Sequence, residues 1–214
     1  MPNLSLDVTP LPAEWFARDV NEVARDLLGA ELSATTAEET VTVRLTEVEA
    51  YGGAEDPGSH ARRGPTARNA SMFASAGRVY VYFTYGMHWC ANLVTGPEGE
   101  GSAVLLRAGE VIEGLELARR RRPSSRSDRD LASGPARLAK ALGLTGEHDG
   151  LEIGGAAAAG TGSMVVELRA APAGVTAWER GPRTGVSGPG GSAAEFPWRY
   201  WIAGDPTVSR YRAA

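Results

Sequence analysis

Two carboxylates, Glu47 and Glu49, lie two positions apart in the run Val41-Thr-Val-Arg-Leu-Thr-Glu-Val-Glu-Ala-Tyr51. Strict strand alternation puts Val41, Val43, Leu45, Glu47, Glu49 and Tyr51 on one face. That face is apolar at its start, so both acids point toward the core side at its far end. A carboxylate placed there is partly desolvated and can orient a water and take its proton. The ordinary alternative is a strand-end acid that reaches solvent, and alternation alone does not separate Glu47 from Glu49. Tyr51 continues the face as a core aromatic or as one wall of a pocket.

Other chemistry-bearing groups follow. His60 sits among small residues in a Gly/Pro/Arg loop, just after Glu55-Asp56. Core filling is a poor use for it there, although many loop histidines are simply exposed. Tyr80, Tyr82 and Tyr85 cluster with Phe83 in the run Arg78–Val94, and Asn92, a poor strand former, follows in the return arm. Hairpin tyrosines usually pack, which suits Tyr80. Tyr85 falls at the turn beside Gly86 and Met87, where tips are normally small and polar. A rigid ring there is a wedge, and stacked bases are one thing it can enter. Arg107 ends the apolar run Ala103–Arg107, either as a capping charge or as an anchor for the carboxylate region.

Signals for other chemistry fail. Three histidines and the single Cys90 lack metal-site spacing, so no metal and no cofactor are expected. No phosphate-binding glycine loop or dinucleotide fingerprint occurs. Lys140 is the only lysine, and an N-terminal Pro2 exposed by loss of Met1 is a weak amine candidate.

The elements that must position these groups are legible in outline. Residues 12–28 put Phe16, Val20, Val23, Ala24 and Leu27 on one helical face, with Gly29 as the stop. Residues 31–51 predict two strands joined around 36–39. A Gly/Pro/Arg loop (52–71) leads to the hairpin, and Gly96–Gly101 turns into a strand over 103–107. Glu110–Arg122 predicts a helix, Pro123–Asp130 a mobile basic connector, and Ser133 a cap for a helix running to Leu142 and stopped by Gly143. Met164–Arg169 and Arg199–Ile202 predict strands; the Gly/Ala tract 154–162 and the Gly/Pro-rich 181–192 predict loops. The expectation is one α+β domain over 1–214, with the order of residues 1–10 left open.

At 214 residues the chain suits one domain that buries about 70% of its unfolded surface. No stretch is apolar enough to span a bilayer, the N-terminus lacks a signal-peptide layout, and one cysteine fits a reducing cytoplasm. Net charge is −4, yet 57–97 holds no acid while Arg62, Arg63, Arg68 and Arg78 appear there. From Arg119 to Lys140 the balance is +6, leaving −10 elsewhere. Such a split allows one basic face on an acidic body, although Arg119–Arg122 alone is as readily a solvated helix end.

Six collinear blocks over about residues 15–210 resemble the 3-methyladenine (alkyladenine) DNA glycosylase family. They are Thr46-Glu-Val-Glu-Ala-Tyr51, the loop Glu55–Asn69, Tyr80-Val-Tyr-Phe-Thr-Tyr-Gly-Met87 with Asn92, Leu105-Leu-Arg-Ala108, Ser133-Gly-Pro135 and Pro197–Pro206. The resemblance implies a curved, mostly antiparallel sheet with flanking helices, a protruding β-hairpin and no metal. By position it implies that Glu49 activates the attacking water and that Arg107 helps place it. Tyr51, His60 and Tyr82 would hold a flipped base, Asn92 would crowd out the exocyclic amine of normal guanine, and Tyr85 would fill the vacated stack. Arg62, Arg63 and Arg68 would hold the DNA backbone, with the segment 119–140 also expected to meet phosphates. The implied protein is a monomeric, cytoplasmic bacterial enzyme that excises damaged purines from double-stranded DNA and leaves an abasic site. Ala67 replaces the Pro that many relatives carry before Arg68-Asn69. The competing readings are a non-catalytic nucleic-acid-binding protein using the same wedge and basic face, and a metal-dependent nuclease.

Overall fold

Thirteen residues, Thr40–Gly52, form the longest strand, β2, and the fold is organised around it. The computed structural model describes residues 9–37, 39–155 and 164–214. Residues 1–8 and most of the Gly/Ala tract lie outside the described residues. The remaining strands are β1 (Glu31–Thr35), β3 (Val79–Thr84), β4 (His88–Thr95), β5 (Ser102–Glu113), β6 (Val165–Arg169), β7 (Trp178–Gly181) and β8 (Arg199–Ile202). They pair in the order β3-β4-β5-β2-β1-β6, with β8 joining β2 and β7 joining β8, all antiparallel. Helices α1 (Val20–Asp26), α2 (Leu115–Arg121) and α3 (Pro135–Leu142) flank this sheet, which confirms the α+β class with its curved antiparallel sheet and hairpin. No described helix is long and apolar enough to cross a membrane.

One edge of β2 runs along β5, while the other is shared, with β1 on Thr40–Arg44 and β8 on Glu47–Glu49. The register with β5 slips between Leu45 and Glu47 and again before Val48. A bulge changes which way later side chains point. Val41, Val43 and Leu45 belong to the main core, but so do Val48 and Ala50. Glu47 and Glu49 therefore lie on the face opposite Leu45, which corrects the strict alternation expected from sequence.

The sheet has two buried faces. Phe16, Leu27, Leu32, Leu93, Leu106 and Leu138 are among the main-core side chains; each such residue contributes about 1.5–3 kcal/mol on burial. On the opposite face lies a smaller cluster of Ala61, Met72, Tyr80, Val94 and Ala103, with Tyr51, Phe73 and Tyr82 packed on it. Tyr80 and Val81 thus face opposite ways, as do Val94 and Leu93, because strand side chains alternate.

Several local expectations are corrected. The first helix is a 3-10 turn at Ala13–Phe16 followed by α1, because Asp19 restarts it by accepting from the backbone N–H of Asn21 and Glu22. The helix expected over Glu110–Arg122 begins only at Leu115. Its first part continues β5, where Val111 pairs with Val43 and Arg44 meets Glu110 at 2.8 Å. Gly109 suits this close pairing, since a Cβ there would lie 2.3 Å from Val43 Cγ1. Ser133 does not cap α3; it bridges to Ala108, and Gly134 is the N-cap residue. Gly143 ends the helix with φ 80°, as expected. The basic connector is held to α2 by an Arg119–Asp128 pair at 2.7 Å. Strand β7 had no signal, being a mostly exposed edge strand of sequence Trp-Glu-Arg-Gly.

Candidate active site

Cross-strand register draws one line over five strands: Tyr80 opposite Asn92, Asn92 opposite Leu105, Leu105 opposite Glu49 and Glu49 opposite Arg199. A cavity of about 450 Å³ opens on this face. It is lined by Glu49, Tyr51, His60, Tyr82, Asn92 and Arg107, with Tyr85 and His88 near the hairpin tip.

Glu49 is fully buried. Its Oε2 accepts from the Tyr51 hydroxyl at 2.8 Å and its Oε1 from the backbone N–H of Thr184 at 2.7 Å. Arg107 Nη1 stands 3.3 Å from the same Oε1. Glu47, equally buried, is consumed by structure: Arg107 Nε and Arg199 Nε donate to its Oε1 at 2.8 and 2.7 Å, and Ser209 N–H to its Oε2 at 2.6 Å. Burial pushes the Glu47 carboxyl up, but Arg107, Arg199 and Ser209 outweigh it and hold it below the ordinary value. Only Glu49 of the two lines the cavity, which separates acids that alternation left equivalent.

The cavity wall is aromatic. His60 and Tyr82 meet edge to face at 4.7 Å between centroids, and Tyr80 lies 5.6 Å from Tyr82. His60 Nδ1 and the Tyr80 hydroxyl are 3.2 Å apart. Burial, followed by Arg68, lowers the His60 pKa from 6.5 and so favours a neutral imidazole at neutral pH. Burial raises Tyr80 to about 12, and raises Tyr82 and Tyr51 as well, with the Glu49 charge adding at Tyr51. These phenols remain neutral hydrogen-bonding groups. Asn92 is buried and donates to the Tyr80 carbonyl at 3.0 Å, which fixes its amide across the β3–β4 pair.

The hairpin ends in the loop Tyr85–Met87, closed by Met87 N–H to Thr84 O at 3.2 Å. Tyr85 has φ 51° and Gly86 φ 67°. Glycine tolerates that conformation, whereas a non-glycine residue is strained in it by about 1–2 kcal/mol. Tyr85 is nevertheless 86% exposed and Met87 67%. A strained, solvated aromatic contributes nothing to the fold that would explain it. Arg62 and Arg63 are exposed on the 3-10 turn His60–Arg63, and Arg68 Nη2 donates to Phe83 O at 3.1 Å, tying that loop to the hairpin.

Three contributors escaped the sequence reading. Arg183 is fully buried and forms a two-bond pair with Asp56, at 2.5 and 2.6 Å, while also donating to Ala50 O at 2.9 Å. Its guanidinium lies 4.5 Å from the centre of the Tyr51 ring. This anchor fixes the next residue, Thr184, whose N–H reaches Glu49. A backbone donor carries no sequence signal, and an arginine in a Gly/Pro-rich loop resembles any solvated one. Asp56 stood in a quoted block but had no role assigned.

The site is thus a fully buried carboxylate at the wall of an aromatic cavity. Residues 14–206 match the family model described as methylpurine-DNA glycosylase (MPG). A protein of Streptomyces avermitilis, named "Putative 3-methyladenine DNA glycosylase", is 58% identical over 207 residues, covering 97% of this chain and 94% of its own. Proteins with the same name from Leifsonia xyli (53% identity, 89% and 87% coverage) and Nocardia farcinica (49%, 93% and 90%) are also similar. The chain belongs to the methylpurine-DNA glycosylase family. It is a DNA glycosylase, a hydrolase acting on N-glycosyl bonds in DNA repair, and not a merely nucleic-acid-binding module.

Proposed function

We propose that this chain rotates damaged purines, alkylated or deaminated, out of duplex DNA and hydrolyses the N-glycosidic bond with Glu49 as general base. The observation that carries the reading is Glu49, fully buried yet lining an aromatic cavity with Tyr85 near the mouth. A base inside a duplex is out of reach, and extruding it costs a few kcal/mol. Tyr85 offsets part of this by stacking in the vacated space, worth about 1–3 kcal/mol. Tyr51, His60 and Tyr82 hold the extruded base, and Asn92 excludes guanine's exocyclic amine. Aromatic faces favour a cationic ring, so an alkylated purine gains most. Bond cleavage passes through an oxocarbenium-like sugar. Ionised Glu49 stabilises that charge and takes a proton from water that Arg107 helps to place. Lys140, the chain's only lysine, lines a different cavity beside Met87, which supports a monofunctional enzyme that leaves the backbone intact. We assign it further a monomeric state and the DNA of the bacterial cytoplasm as its substrate. Release of free purine from duplexes carrying a single defined lesion tests the reading; intact lesions at enzyme excess would refute it.

Tyr85→Gly gives a test in which stability and activity separate. Relief of the left-handed strain should leave folding stability unchanged or raised by up to about 1 kcal/mol. Base release from a paired lesion should slow more than tenfold, an order of magnitude set by the lost stacking, and release from a mismatched lesion should slow less. Equal slowing on both substrates would show that Tyr85 does not assist extrusion.

We assign backbone phosphates to Arg62, Arg63 and Arg68. In 119–140 many arginines are occupied: Arg119 by Glu116 and Asp128, Arg120 by Glu39, Arg137 by Asp130. Among the described residues Arg121, Arg126 and Arg129 have no ion pair, and Arg121 is tied instead to the Ala141 carbonyl at 2.9 Å. Affinity should fall with salt, and each lost phosphate contact should reduce the log–log slope by about 0.9. The Arg62→Ala/Arg63→Ala pair is expected to lower the slope by nearly two such steps, whereas Arg119→Ala leaves it alone. Binding titrations between low and moderate salt decide this; an unaltered slope in the double variant removes the assignment.

A further inference from the structure

Glu49 has two polar partners besides Tyr51, and the last residues of the chain touch the supports of both. Ser209 is engaged through three of its polar groups. Its N–H donates to Glu47 Oε2 at 2.6 Å, its carbonyl accepts from Arg199 Nη2 at 3.0 Å, and its Oγ accepts from Arg107 Nη2 at 3.3 Å. Arg107 is thereby held on one side by Glu47 and on another by Ser209, which leaves Nη1 aimed at Glu49. Three residues later the Arg212 carbonyl accepts from Gly185 N–H at 2.9 Å, beside the Thr184 N–H that holds Glu49.

We propose that residues 209–212 are a positioning strap for the catalytic carboxylate. Ser209 and Glu47 fix the Arg107 guanidinium, and Arg212 fixes the loop that presents the Thr184 N–H. The proposal rests on the reading of Glu49 as the water-activating acid. Its physical basis is that an arginine has five donors and several rotamers, so one neighbour does not define where its charge points. A misplacement near 1 Å at a reacting centre costs up to about a hundredfold in rate. Glu47 is then buried for function as well as structure: it takes the Nε donors of Arg107 and Arg199 and so fixes both guanidinium groups beside the site.

Single-turnover base release and affinity for an abasic-analogue duplex, measured on full-length variants, test this. Ser209→Ala removes only the hydroxyl and keeps both backbone bonds. It should slow base release about five- to twentyfold while affinity stays within about twofold, since orientation rather than binding is lost. Ser209→Thr, which restores a hydroxyl, should recover most of the rate. A parental rate in Ser209→Ala, or equal slowing in Ser209→Thr, overturns the proposal. A chain ending at Tyr211 supplies a readout that needs no substrate: amide exchange at Thr184 and Gly185 should quicken, and unchanged protection overturns the loop half of the strap. If the parental chain released no base, the glycosylase assignment would fall instead, and the exchange measurement would still judge the strap.

Discussion

Glu49→Gln is expected to cut base release by about 10²–10⁴-fold while leaving affinity for an abasic-analogue duplex unchanged. The substitution is close to isosteric, and the site can accept it. The new amide oxygen can keep the Thr184 N–H, and its NH2 can face the Tyr51 oxygen, which turns from donor to acceptor. What disappears is the negative charge beside Arg107 and the capacity to take a proton from water. Both matter only as the sugar becomes cationic, so the loss belongs in the rate and not in ground-state binding. Quenched single-turnover assays with enzyme in excess read the rate directly. A variant that retained more than a tenth of the parental rate would assign the water's proton to another group. Glu47→Gln would be a poor stand-in for this experiment, because Glu47 holds two buried arginines and its loss confounds folding with chemistry.

The largest stability effect is expected at Asp56. Asp56→Ala strands the fully buried Arg183 without its counter-charge, and breaking such a pair costs about 3–5 kcal/mol. That is a large fraction of the roughly 5–15 kcal/mol a domain has. Asp56 also accepts from the backbone N–H of Gly52 at 3.1 Å and Gly58 at 2.8 Å, so the loop carrying His60 loses its fold with it. Arg183 packs on the Tyr51 ring and precedes Thr184, so activity should fall faster than stability as the pair is weakened. Asp56→Asn, which keeps the shape and one acceptor, should lie between. Urea unfolding monitored by tryptophan fluorescence gives the energies; a loss under about 1 kcal/mol for Asp56→Ala would mean that water or relaxation compensates Arg183.

The class of fold and the residue types of the site are legible in the sequence. The β-branched and aromatic arms of the β3–β4 hairpin, and the turn and stop chemistry at Gly86, Gly96 and Gly143, depend on neighbours a few residues away, and local rules capture them. The segment Glu110–Glu113 departs from its local propensity. Its own composition suits a helix start, but β2 is long enough to demand a partner along its whole edge. Tertiary pairing overrode that propensity.

The choice between Glu47 and Glu49 marks the boundary between the two sources. Sequence by itself determined that two acids, an aromatic hairpin and a basic loop would occur in one chain, because residue type and spacing encode local geometry and chemistry. Alternation left the two acids equivalent and the family resemblance pointed to Glu49, but only the folded sheet shows that Glu49 lines the cavity while Glu47 is spent on Arg107 and Arg199. The bulge at Thr46 moves both acids off the face that alternation predicts, and Ser209, Arg199 and Thr184, distant in the chain, supply the contacts that distinguish them. Hydrogen-bond partners more than a hundred residues away leave no periodic trace, so the protonation and orientation of a buried carboxylate are properties of the assembled structure.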